Sequence, residues 1–152
     1  MKSLNELFGE IMEEAQDGMI TICSFDSESS DVYNEDTAIN DLSLKKFKKT
    51  RVVVRTRDEG DNKPHFHVIG DKGKYESCIR IDVDEYFLHK PHHIKMINKD
   101  LKILDEHLRM VRDDGLTNWE YGKHVWNDVH WKFPIADSVT QPDYTRLNEV
   151  KK

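Results

Sequence analysis

Apolar and polar positions alternate most densely between residues 51 and 83, and the pattern predicts a three-stranded antiparallel meander. The run Arg51-Val52-Val53-Val54-Arg55-Thr56-Arg57 has the β-branched enrichment of a strand. Residues 65–69 form a second short run. From 75 to 83, Tyr75, Ser77, Ile79, Ile81 and Val83 alternate with Glu76, Cys78, Arg80 and Asp82. Turn-forming residues at 58–64 and 70–73 separate the three runs.

Burial fixes the register, because a slip of one residue sends every side chain to the opposite face. With Val54 opposite Val68, Thr56 opposite Phe66 and Val68 opposite Tyr75, one face gathers Val52, Val54, Phe66, Val68, Tyr75, Ile79 and Ile81 as a core. The other face gathers Arg55, Arg57, His65, His67, Glu76 and Cys78. In an antiparallel sheet such a face can simply lie in water.

The flanks predict helices. Ser3-Leu4-Asn5-Glu6 is a capping box opening an apolar stripe, so a helix is expected over 4–17, followed by a short strand at 19–23 on the sheet edge. Ile94, Ile97, Leu101, Leu104, Leu108 and Val111 recur at spacings of three and four after Pro91, which predicts a long helix over 92–112 lying on the apolar face of the sheet. His89, His92 and His93 would sit at its start. Thr117-Asn118-Trp119-Glu120 is a second capping box, opening a helix to about residue 130. The expected fold is therefore α+β: a small antiparallel sheet of three to four strands, one face covered by a long amphipathic helix, with helices at both ends. Residues 1–133 form one domain with an acidic insertion at 25–44, and 134–152 an irregular tail.

Charge narrows the partners. The net charge of -6 opposes nonspecific nucleic-acid binding by the surface as a whole. The insertion carries Asp26, Glu28, Asp31, Glu35, Asp36 and Asp41 with no Lys or Arg, and Lys45, Lys46, Lys48 and Lys49 follow at once. Asp31, Glu35 and Asp36 are thus candidate contacts to a basic protein partner, one that itself binds nucleic acid. Trp126 and Trp131 are candidate aromatic anchors for the same contact. Two cysteines without paired metal-type spacing fit a reducing interior, and no apolar run reaches the roughly 20 residues of a membrane helix, so a cytoplasmic location is expected.

Two imidazoles on one side of a strand can relay a proton or bind a metal, and two guanidiniums beside them suit a phosphate. His65, His67, Arg55, Arg57 and Glu76 are the catalytic candidates. A His-x-His pair with no third ligand at a characteristic spacing is a weak metal signal, so no cofactor is expected, a divalent ion at His65 and His67 being the disfavoured option. No phosphate-binding glycine loop, nucleophile elbow or His-Glu-x-x-His helix occurs.

The run Arg57-Asp58-Glu59-Gly60-Asp61-Asn62-Lys63-Pro64-His65-Phe66-His67-Val68, with Ile81-Asp82 and the amphipathic stripe after it, resembles the bacterial domain of unknown function four-one-six-zero over residues 51–112. That family carries a Pro-His-x-His-Val core after an acidic, Asn-rich turn; Lys63 stands where it has a further proline. The resemblance implies a bacterial protein encoded near toxin-antitoxin components or mobile elements, and brings no catalytic residue set. Two functions follow as expectations. One is a protein-interaction module of toxin-antitoxin or phage-defence type, acting through acidic and aromatic surfaces. The other is a small His-dependent nuclease or phosphodiesterase using the His-x-His face.

Overall fold

The computed structural model describes residues 18–27, 44–57 and 62–149. The helix expected at 4–17 and the acidic residues Asp31, Glu35 and Asp36 lie outside the described residues.

Six strands are present among them: β1 (Met19–Asp26), β2 (Leu44–Lys45), β3 (Lys49–Arg55), β4 (His65–Gly70), β5 (Tyr75–Arg80) and β6 (Lys95–Met96). A four-stranded antiparallel sheet runs in the order β1-β3-β4-β5, and β2 pairs with β6 in parallel. The register differs from expectation by two residues, Val68 lying opposite Val52 and Ser77 instead of Val54 and Tyr75. Because a shift of two preserves the faces, Val52, Val54, Phe66, Val68, Ile79 and Ile81 still form the buried face, joined by Ile20 and Ile22 of β1.

The single helix expected over 92–112 is not what the chain adopts, and the α+β arrangement built around it is corrected accordingly. A 12-residue helix, α1 (Asn98–Arg109), stands in its place, a second 12-residue helix, α2 (Asn118–Val129), follows where the Thr117 capping box predicts one, and no long helix covers a sheet face. The cause is competition for backbone hydrogen bonds. The Ile94 N–H donates to the Glu76 carbonyl (2.9 Å), and Lys95 and Met96 pair with β2, so the first apolar positions of the stripe are spent on strand-like partners before α1 begins. At the other end Val111 bridges to Thr117 and is 70% exposed. The Thr117 capping box forms as the sequence predicts.

Close approach locks α2 to the sheet. A Cβ on Gly122 would lie 2.4 Å from the Phe66 ring, so glycine is what lets the helix backbone reach that ring. Trp119 Nε1 donates to the Ile81 carbonyl (3.0 Å), and α1 is tied to the segment before β3 by the Phe47 N–H, which donates to the buried Asp100 carboxylate (2.8 Å). Residues 134–149, read from sequence as an irregular tail, place Ile135, Tyr144 and Leu147 in the core, and the Tyr144 hydroxyl donates to the Arg80 carbonyl (2.8 Å). Among the described residues no helix is long and apolar enough to cross a membrane.

Candidate functional site

The polar face of the sheet is not in water. Residues 85–94 run beside β5, held by Phe87 N–H donating to the Cys78 carbonyl (2.9 Å), by an Ile79–Tyr86 bridge and by the Ile94 bond to Glu76. This connector folds its own histidines over the sheet, and His65, His67 and Cys78 are buried at 1%, 3% and 0% exposure. The solvated face expected from alternation is thereby overturned.

Strand periodicity puts His65 and His67 on one face of β4 and Glu76 and Cys78 on the same face of β5, with His67 directly opposite Cys78. Arg55 at the end of β3 reaches across, its Nη2 donating to Glu76 Oε1 at 3.1 Å. From the connector, His93 completes the group. Glu76 Oε2 lies 2.9 Å from both His67 Nδ1 and His93 Nε2 and 3.8 Å from His92 Nε2. Cys78 Sγ lies 3.1 Å from His67 Nδ1 and 3.6 Å from His93 Nε2. The Lys90 N–H donates to His93 Nδ1 (3.2 Å), which makes Nε2 the protonated nitrogen of a neutral His93.

Electrostatics agree with that assignment. Burial would raise the Glu76 carboxyl, but hydrogen bonds from His67 and His93 and the charges of His67 and Arg55 outweigh it and bring it down to about 2. Burial lowers His93 to about 4 against the opposing pull of Glu76, with His89 and His92 adding to the depression. At neutral pH the pair is a carboxylate facing a neutral imidazole.

The cluster opens into a cleft of about 320 Å³, with Arg55, Arg57, Lys90 and His92 around Glu76 and His67. A larger groove of about 570 Å³ lies elsewhere, beside Trp119 and Asn127. Its Lys123 ammonium is committed to the carbonyls of Asp137 and Val139, both at 3.1 Å, and among the described residues neither cluster of potential metal ligands lies there. The smaller cleft is the one that adjoins the Glu76 cluster.

Of the five catalytic candidates, the structure joins Arg55, His67 and Glu76 directly, and Arg57 lines the cleft. His65 stands one step back, its Nδ1 bonded to the Lys63 carbonyl at 2.7 Å and its ring against Phe87 and Trp126. Trp126 is 1% exposed, with its indole N–H donating to the Phe133 carbonyl (3.0 Å), so it packs the domain and offers no partner surface. Trp131 is 67% exposed. His93 and Cys78 are the members that sequence reasoning did not assign. The available signals were the shared face of Glu76 and Cys78 and the nearby histidine cluster, but only the path of the connector joins them.

Several donors converge here. His67, Glu76, Cys78 and His93 could hold a metal ion, as could His65, His67 and His89, each set with its ligand atoms within 4.8 Å of one another. His67 belongs to both sets, and only the first includes a thiol and a carboxylate.

Comparison with protein-family models, with curated proteins and with solved structures returns no match, so function is argued from the chemistry of this cleft.

Proposed function

We propose that the chain is a small hydrolase of phosphoester bonds, of nuclease or phosphodiesterase type, working at the cleft above Glu76. One observation carries the reading: a single carboxylate receives two buried imidazoles and a guanidinium at the floor of an open cleft that Arg57, Lys90 and His92 also line. A phosphoryl group entering the cleft meets Arg55 and Arg57, whose planar forks match its oxygens, and these carry the charge that develops in the transition state. Glu76, ionised and fixed by its donors, orients a water and accepts its proton. A carboxyl held at about 2 is a weak base at neutral pH, so activation of that water also depends on what the neighbouring donor atoms hold.

The test is hydrolysis of bis(4-nitrophenyl) phosphate and of single-stranded and duplex oligonucleotides by wild type and by Arg57→Ala. The reading expects turnover in wild type and a loss of about 10-fold or more in the variant, since one charged hydrogen bond is worth roughly 1.5–3 kcal/mol. No turnover on any of these substrates would sink it.

A second reading, association with a basic protein partner in a toxin-antitoxin or mobile-element setting, is favoured by Trp131, which is exposed next to the partly exposed Phe133. Its test is capture of one stoichiometric partner from a bacterial lysate, with Trp131→Ala as the control that should lose it.

A further inference from the structure

The four donor atoms of His67, Glu76, Cys78 and His93 come from two strands and the connector, and four of the six separations among them are 2.9, 2.9, 3.1 and 3.6 Å. A tetrahedral zinc site, with Zn–N of about 2.0–2.1 Å and Zn–S of about 2.3 Å, puts neighbouring donors roughly 3.3–3.6 Å apart. These four pairs have to separate by no more than about half an ångström to admit an ion, and the two remaining pairs lie within 4.8 Å. Hydrogen bonding explains the close pairs, in which Nδ1–H of His67 and Nε2–H of His93 both donate to Glu76. It does not call for a thiol facing both nitrogens, because sulfur is a weak partner for either. A thiol beside two imidazoles and a carboxylate is the ligand chemistry of zinc and its neighbours, and it disfavours magnesium and calcium.

We propose that His67, Cys78 and His93, with Glu76 as the fourth ligand, form a binding site for a zinc-type divalent transition-metal ion. On binding, the ring protons of neutral His67 and His93 move from the ligating nitrogen to the other ring nitrogen through solvent, and the Cys78 thiol proton is released to water. The thiolate and carboxylate then balance the two charges of the ion, while Arg55 remains on Glu76 Oε1. His93 must carry its proton on Nδ1 instead, so the Lys90 N–H, 3.2 Å away, gives up its bond, and adjustment of the main chain at Lys90 is part of loading. With all four ligands engaged the site is closed. If Glu76 withdraws toward Arg55, a water takes its place, which is the open arrangement of a catalytic site. As a statement about binding, the inference stands on donor geometry; as a statement about catalysis, it rests on the hydrolytic reading above.

The experiment is a Co²⁺ titration of the untagged, chelator-treated full chain, followed by absorption spectroscopy, with diester hydrolysis measured on the same samples. The site predicts saturation at one ion per chain, a thiolate-to-cobalt band in the near ultraviolet and the intense visible bands of tetrahedral Co²⁺. In Cys78→Ser the near-ultraviolet band disappears, and in His93→Gln affinity falls at least about 10-fold. Because Cys78 is fully buried and its replacement puts the fold at risk, Co²⁺-dependent protection of Cys78 from alkylation in the wild-type chain serves as a second readout. Absence of saturable binding, or a spectrum and protection that ignore Cys78, would overturn the site. Hydrolysis without binding would leave the hydrolytic reading standing and remove the metal; binding without hydrolysis would do the reverse.

Discussion

His93 Nε2 donates to Glu76 Oε2 over 2.9 Å, joining a connector residue to a strand residue 17 positions away. The bond closes the polar face of the sheet and draws Arg55, His67 and Cys78 into one group. A double-mutant cycle with His93→Ala and Glu76→Ala should therefore give a coupling of about 1–3 kcal/mol in urea denaturation, the range for contacting residues in a shared network. Glu76→Ala alone should cost more than Glu76→Gln, because alanine leaves two buried imidazoles and a guanidinium without their acceptor. Additive single effects would show that the bond contributes little.

Gly122 sets the distance between α2 and the sheet. Gly122→Ala should lower stability by about 1–3 kcal/mol, since the new methyl lies within 2.4 Å of a fully buried Phe66 ring in a packed core. Phe66→Leu in the same chain should recover part of that loss. Thermal denaturation of the three variants decides it, and a neutral Gly122→Ala would mean that α2 can shift outward freely.

The two tryptophans should behave in opposite ways. Trp126→Ala is expected to cost about 3–5 kcal/mol, as for other buried large aromatics, while Trp131→Ala stays within about 0.5 kcal/mol of wild type. Equal effects in equilibrium unfolding would contradict the burial assigned to them.

Alkaline pH should destabilise the fold. Burial pushes the Cys23 thiol up from 9.0 to about 12, against a smaller opposing effect of Arg112, and burial likewise raises the Tyr86 and Tyr144 hydroxyls. Each group has a raised folded-state pKa, so its contribution is complete below the unfolded pKa and is lost as pH rises above it. The urea midpoint should fall from about pH 9 upward, first through Cys23 and then through the tyrosines. Cys23→Ala should remove the earliest part of that decline. A flat midpoint between pH 8 and 11 would contradict the assignment.

The sequence was most informative where side-chain period alone decides the outcome. Alternation in β4 and β5 placed Phe66, Val68, Ile79 and Ile81 on the core face and His65, His67, Glu76 and Cys78 on the other, even though the register was off by two, because two is the period of a strand. It was least informative where backbone partners compete. Ile94 and Ile97 fit a helical stripe, but their segment bonds to Glu76 and β2, and nothing local records that choice. The same blind spot hid the site: His67 and Glu76 lie on adjacent strands, whereas His93 arrives only through the fold of residues 85–94. Trp126 and Trp131 illustrate a further limit, since helix phase decides burial and α2 ends between them, at Val129.

The most direct test of the account is phosphodiester hydrolysis by wild type and Glu76→Gln, measured side by side with the fold of each checked by circular dichroism. Glutamine keeps the shape of Glu76 and loses the negative charge that holds His67, His93 and Arg55. The account predicts measurable turnover in wild type and a fall of about 100-fold or more in the variant, within the range for a positioned acid or base. A folded Glu76→Gln protein that turns over as fast as wild type, or a wild type with no turnover, would contradict the claim that this cleft is the working centre.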